Sequence, residues 1–225
     1  MMKLPKVALF DMDGTLFDTE RLWAEALALV FEELGLAQPA HRLMSITYGL
    51  AWPDAHAALQ AAYPELLRGV SAQRLGHRLC CRFDELFSLA PPVIPAAERL
   101  LRRLCAAGVR CGYVSGSPRS TITRNLALCG LTTFFDASRS VPSDDMARGK
   151  PFPEGYLLAL SRFGVAASEA VAFEDSRVGS TAALAAGLCT YVCPPPSAPQ
   201  QDYPPGVIRL STWDEAPIAI ERRHA

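Results

Sequence analysis

The sequence predicts an α/β protein, a doubly wound parallel sheet interrupted after its first strand by an all-helical insertion. Short continuous apolar runs alternate with helix patterns early in the chain and again from about residue 95 to 192. Residues from about 19 to 90 instead carry helix patterns and no convincing strand. Strand alternating with helix implies parallel strands covered on both faces, and a break in that rhythm implies a separate unit.

The first run, Val7-Ala8-Leu9-Phe10, is apolar without alternation, as suits a strand buried on both faces. Similar runs follow at Val109–Val114, more weakly around Phe134-Phe135-Asp136, at Val171–Phe173 and at Leu188–Val192. Helices are expected from Pro95, from Pro118 after Ser117, from Pro153, and from Ser176 through an alanine-rich run that Gly187 closes. Inside the insertion, Trp23, Leu27, Val30 and Leu34 recur at helical spacing before Gly35, and Leu75, Leu79, Phe83 and Leu86 repeat the pattern within 68–89. Phe17-Asp18 and Pro91-Pro92 mark the crossings, dividing the chain into an α/β core of residues 1–17 and 91–225 and a helical unit of residues 18–90. The stretch from Pro194 to Pro205 reads as a surface loop, and the tail from Ser211 says little.

A net charge of -1 gives no diffuse attraction for nucleic acid or anionic membranes, so a small partner is expected. Asp11 interrupts the first apolar run before it reaches the length of a signal-peptide core or a membrane span, and a cytoplasmic location is expected. Seven scattered cysteines, with no Cys-x-x-Cys pair, are expected to be reduced thiols. The four histidines form no constellation.

Four segments carry chemistry. Phe10-Asp11-Met12-Asp13-Gly14-Thr15 ends a strand in two carboxylates placed two residues apart, on one side of the chain. One can attack phosphorus and the other can shuttle a proton, while Gly14 lets the backbone turn; an ordinary strand-end turn is the plain alternative. Val114-Ser115-Gly116-Ser117-Pro118 offers a hydroxyl and backbone N–H groups at a helix start, or simply a cap by Ser117. Lys150 is one of only three lysines and supplies a point charge, or else decorates a loop. Phe173-Glu174-Asp175-Ser176 ends a strand in paired acids, the oxygen ligands magnesium prefers, unless Asp175 merely caps a helix.

In this order the segments resemble the haloacid dehalogenase superfamily, over almost the whole chain. The runs Phe10–Glu20, Lys150-Pro151-x-Pro153 and Glu174-Asp175-Ser176-x-x-Gly179 are similar to its β-phosphoglucomutase-like branch, which includes many small sugar phosphate phosphatases. The resemblance implies a Rossmann-like core, a helical cap and a Mg2+ cofactor. It implies Asp11 as nucleophile and metal ligand, and Asp13 as general acid then base, with its carbonyl on the metal. It further implies that Ser115, Lys150 and the N–H groups of Met12, Asp13 and Gly116 bind the phosphoryl group. Asp175 would hold the metal, with Glu174 as a ligand or an acceptor for its waters.

The expected activity is a magnesium-dependent phosphatase for a small sugar or polyol phosphate, acting as a monomer or weak dimer. A cap lysine, which a phosphonoacetaldehyde hydrolase needs, is missing between Glu20 and Ala90. Trp23 and Trp52 stand where the mutases place a histidine and an arginine, which weakens a phosphoglucomutase-type transferase. With Tyr48 and Gly49 they are candidates for substrate specificity, unless the two tryptophans simply pack within the helical unit. A non-catalytic phosphate-ligand binder is the other alternative.

Overall fold

The computed structural model describes residues 2–47, 50, 52–196, 198 and 200–221. The chain falls into two compact units, Met1–Asp18 with Val93–Ala225, and Thr19–Pro92. Asp18 thus goes with the α/β unit, and Pro91 and Pro92 with the helical one.

In the α/β unit, β1 (Met2–Lys3) pairs antiparallel with β7 (Ile220–Glu221) as a small ribbon. The main sheet is all parallel: β2 (Val7–Phe10), β3 (Arg110–Tyr113), β4 (Ala170–Glu174), β5 (Cys189–Val192) and β6 (Ile208–Arg209), in the order β3-β2-β4-β5-β6. Helices α5 (Pro95–Ala106), α6 (Arg119–Leu128), α7 (Glu154–Phe163) and α8 (Arg177–Ala185) separate the strands. Every residue of β2 and β4 is buried, which explains their unbroken apolar character up to Glu174.

Register fixes what each face carries. Phe10 lies opposite both Tyr113 and Phe173, and Phe173 opposite Tyr191, so an aromatic row crosses the sheet one residue before Asp11 and Glu174. Phe10 and Phe173 stand 4.8 Å apart, Phe173 and Tyr191 5.6 Å. On the other face, Leu9, Ala172 and Val114 form a core with Tyr156, Ala159 and Phe163 of α7 and Ala182 and Ala183 of α8. Alternation sends the Glu174 side chain to that second face.

The apolar run at 134–136 is not a strand. A 3-10 turn (Thr132–Phe134) takes up its first residue, and Phe135 makes only an isolated parallel bridge to Cys111. Pairing stops because Asp136 opens a turn: its carbonyl accepts both the N–H and the hydroxyl of Ser140. The tail contributes more than expected, since Trp213 is buried edge-on to Phe173 at 5.6 Å.

The helical unit holds α1 (Thr19–Glu33), α2 (Ala40–Thr47), α3 (Trp52–Ala62) and α4 (Ala72–Leu89). Its first helix buries Leu22, Ala26, Leu27, Val30 and Phe31, and Trp23 is only half-buried. Ser71 caps α4, accepting the Arg74 N–H, and the buried stripe there is Leu75, Leu79, Phe83 and Phe87, with Leu86 half-buried. None of the described helices is long and apolar enough to cross a membrane.

Candidate active site

Three strands deliver the candidate residues to one edge of the sheet. Asp11 follows β2, Ser115 lies two residues after β3, and Glu174 ends β4 with Asp175 next. The Asp11 N–H donates to the Phe173 carbonyl at 2.9 Å, which locks the end of β2 to that of β4. Ligands of open α/β sheets bind at these carboxyl ends, where the strand order reverses about β2.

Asp11, Glu174 and Asp175 converge, each buried and offering an oxygen, with these atoms within 4.8 Å of one another. Lys150, from the loop before α7, donates to Asp11 Oδ1 at 2.5 Å and to Glu174 Oε1 at 2.6 Å. Burial works against the Lys150 ammonium, but Asp11 and Glu174 outweigh it and hold the charge on. Three carboxylates facing one ammonium leave excess negative charge. Burial raises Glu174 to about 7, with Lys150 opposing and Asp11 adding to the rise. Burial, then Asp11 and Glu174, pushes Asp175 well above the usual carboxylate range. Asp11 Oδ2 is buried with no hydrogen-bond partner, as is Thr15 Oγ1. A buried acceptor without a donor, in an oxygen-only cluster of excess negative charge, fits a divalent cation such as magnesium.

Two glycines permit this packing. Gly14 has a φ of 87°, and a Cβ on it would lie 2.2 Å from Asp175 Oδ2. A Cβ on Gly179 of α8 would lie 2.0 Å from Glu174 Oε2, so the carboxylate rests directly on helix backbone.

Asp13 is not a member of the carboxylate cluster. It is half-buried, and its Oδ2 accepts the Ser117 hydroxyl at 2.8 Å. Ser117 therefore does not cap α6, whose N-cap is Pro118. Ser115 is buried: its N–H donates to Val141, and its Oγ accepts the Ser117 N–H at 3.0 Å. Gly116 is exposed beside it. The N-cap of α8 is Ser176, which accepts the Gly179 N–H, so the Asp175 side chain is left for the cluster.

The candidates for specificity separate. Tyr48 and Gly49 lie outside the described residues. Trp23 stacks on Phe83 at 4.1 Å, and Trp52 Nε1 donates to the Ala72 carbonyl at 3.0 Å. Both line a cavity of about 470 Å3 within the helical unit, together with Leu27, Met44 and Leu79.

Two tyrosines near the cluster were not evident from sequence. Tyr156 is fully buried and donates to Glu174 Oε1 at 2.5 Å; burial and the Glu174 charge keep its phenol protonated. Tyr203, in the proline-rich loop, donates to the Asp175 carbonyl at 2.5 Å. Only spacing could have flagged Tyr156, six residues after Lys150 in an otherwise ordinary helix pattern.

Residues 5–187 match the family model of haloacid dehalogenase-like hydrolases. The chain belongs to this family. Among curated relatives of this hydrolase is validoxylamine A 7'-phosphate phosphatase of Streptomyces hygroscopicus subsp. limoneus, 34% identical, with the match covering 81% of this chain and 83% of that protein. Hexitol phosphatase B of Escherichia coli K12 is 31% identical, covering 85% and 84%. Among solved structures, a Thermotoga maritima protein provisionally assigned as a beta-phosphoglucomutase superposes with a TM-score of 0.77 at 27% identity, covering 93% and 95%. A family hydrolase of Deinococcus radiodurans R1, solved with bound phosphate and sodium, gives 0.71 at 28% identity, covering 92% and 91%.

Proposed function

We propose that this hydrolase is a magnesium-dependent phosphatase that cleaves a small phosphate monoester, a sugar or polyol phosphate, through a phosphoryl group carried on Asp11. The observation that carries the proposal is the buried Asp11, held by Lys150 on one oxygen and without a hydrogen-bond partner on the other. The curated relatives at 34% and 31% identity, a validoxylamine 7'-phosphate phosphatase and a hexitol phosphatase, support the substrate class.

A carboxylate approaching a phosphate dianion meets its own sign: at about 4 Å with an effective dielectric near 20, each unit pair costs roughly 4 kcal/mol. The Lys150 ammonium offsets part of that repulsion. Asp11, Asp175 and the Asp13 carbonyl would hold magnesium, with Glu174 as a further ligand or an acceptor for its waters. When bound, the ion supplies positive charge that lowers the repulsion and stabilises the transferring phosphoryl group. Asp11 then attacks phosphorus, and Asp13 donates its proton to the departing alcohol oxygen. Asp13, now a carboxylate oriented by Ser117, takes a proton from water, which attacks phosphorus and frees Asp11. Ser115 and the backbone N–H groups of Met12, Asp13 and Gly116 are proposed to bind the phosphoryl oxygens. Trp23 and Trp52 are proposed to select the alcohol part of the substrate.

A mutase is disfavoured because, among the described residues, no Lys, Arg or His lines the helical unit's cavity to take a second phosphate. Hydrolysis of a chromogenic aryl phosphate tests the proposal. Turnover is expected with magnesium and not after its removal, and Asp11→Asn is expected to lose at least about a thousandfold in kcat. Turnover without a divalent ion, or full turnover by Asp11→Asn, contradicts it.

A further inference from the structure

We propose that Tyr156 is a positioning residue for phosphate binding: its hydroxyl, donated to Glu174, keeps the Lys150 ammonium shared with Asp11 instead of collapsed onto Glu174. The inference rests on the phosphatase function proposed above and concerns a residue outside its four motifs.

Glu174 Oε1 accepts two donors, Tyr156 Oη at 2.5 Å and Lys150 Nζ at 2.6 Å. The same Nζ reaches Asp11 Oδ1 at 2.5 Å. One ammonium is therefore divided between two carboxylates, and it has three N–H donors in all. Two are engaged in these bonds, which leaves the third for a phosphate oxygen. How the ammonium divides depends on how much negative charge each carboxylate keeps. Donation from Tyr156 draws charge from Glu174, so Glu174 pulls on Lys150 less strongly.

Little else can do this for Glu174. The residue is 0% exposed, its Oε2 lies against Gly179, and the remaining side-chain donor, Ser176 Oγ, is 3.4 Å from Oε2. Without the phenol hydroxyl, Glu174 Oε1 would keep Lys150 alone among the side-chain donors of the described residues, and the ammonium would move toward it and away from Asp11.

The backbone makes Tyr156 a fixed donor. Gly155 packs so tightly that a Cβ there would meet Met146 Sδ at 2.4 Å and Val114 Cγ1 at 2.8 Å, which clamps the first turn of α7 against the end of β3. The ring is fully buried in the core, and Lys150 Nζ lies 5.6 Å from its centroid. Tyr156→Phe would keep the ring, its packing and its face toward the ammonium, and remove the hydroxyl alone.

The test is a double-mutant cycle on the full chain, read by calorimetric titration of inorganic phosphate into magnesium-loaded protein. Tyr156→Phe is expected to weaken phosphate about tenfold, the effect of one hydrogen bond to a charged group. KM should rise in step, and kcat should stay within about threefold. In a Glu174→Gln background the same substitution is expected to change phosphate affinity less than about twofold, because the charge it moderates is gone. Unchanged phosphate binding by Tyr156→Phe overturns the inference. So do equal losses in both backgrounds, the mark of a packing or folding defect. Wild-type protein that binds no phosphate overturns the phosphatase function as well, which separates the two failures.

Discussion

Glu174 and Gly179 show how closely a motif residue and its support are matched. The carboxylate lies where a side chain on Gly179 would have to be, 2.0 Å from Oε2 to an added Cβ, so the Glu-Asp-Ser-x-x-Gly spacing is a packing requirement as much as a chemical one. Gly179→Ala is expected to lower stability by about 1–3 kcal/mol through overpacking, and to weaken magnesium binding by displacing the acids. Denaturant melts and a magnesium titration check both; a fully stable variant with unchanged affinity would show that the helix can move aside. Asp11, Glu174 and Asp175 were legible as candidates because carboxylates ending apolar strands have few other reasons to be there, whereas Lys150, in a loop, was singled out by lysine scarcity and by the order of the motifs. Tyr156 and Tyr203 were not. An aromatic in an amphipathic helix or a proline-rich loop reads as packing or surface, and only the fold reveals which acceptor its hydroxyl meets.

Among the elements, strands buried on both faces were the most legible, since unbroken apolar runs of β2 and β4 have no exposed side to encode. Phe134-Phe135-Asp136 misled because three apolar-to-acidic residues carry the composition of a strand end without the length to pair. The tail was opaque for the opposite reason: Trp213 is one buried residue in a polar context, and its aromatic partner Phe173 lies forty residues upstream by the count of their numbers. In the helical unit, spacing located α1 and α4, but it did not distinguish Trp23, half-buried on a cavity wall, from the fully buried Leu22 beside it. Substitution Trp52→Leu, at that cavity, is expected to raise KM for the preferred member of a panel of hexose, pentose, polyol and nucleotide monophosphates, with kcat within about threefold. Equal loss across every member, with a lowered melting temperature, would mark Trp52 as packing only.

For the whole molecule, the balance of charge at the site links stability to pH and to metal. Burial raises Glu174 from 4.5 to about 7, and Asp175 is raised with it. A carboxyl whose folded pKa exceeds its unfolded one favours the fold below the unfolded value and withdraws that support as pH rises through the folded value. The metal-free protein should therefore lose this contribution between about pH 4.5 and 7, while magnesium, which needs the ionised acids, restores it. Thermal melts with and without magnesium are expected to diverge as pH rises across that window, and a gap independent of pH would argue against a cation at these carboxylates. The division into Thr19–Pro92 and the α/β unit places Asp11, Ser115, Lys150 and Asp175 in one unit, and the residues proposed for substrate selection, Trp23 and Trp52, in the other. The most direct measurement is an acid quench of Asp13→Asn protein during turnover of a phosphate-labelled aryl monoester, whose phenolate departs without a proton from residue 13, followed by peptide mapping. The expected result is label retained on the peptide bearing Asp11, because attack still occurs while release is slowed. Turnover at the wild-type rate, or slowed turnover with no label on any peptide, would contradict a phosphoryl group carried on Asp11.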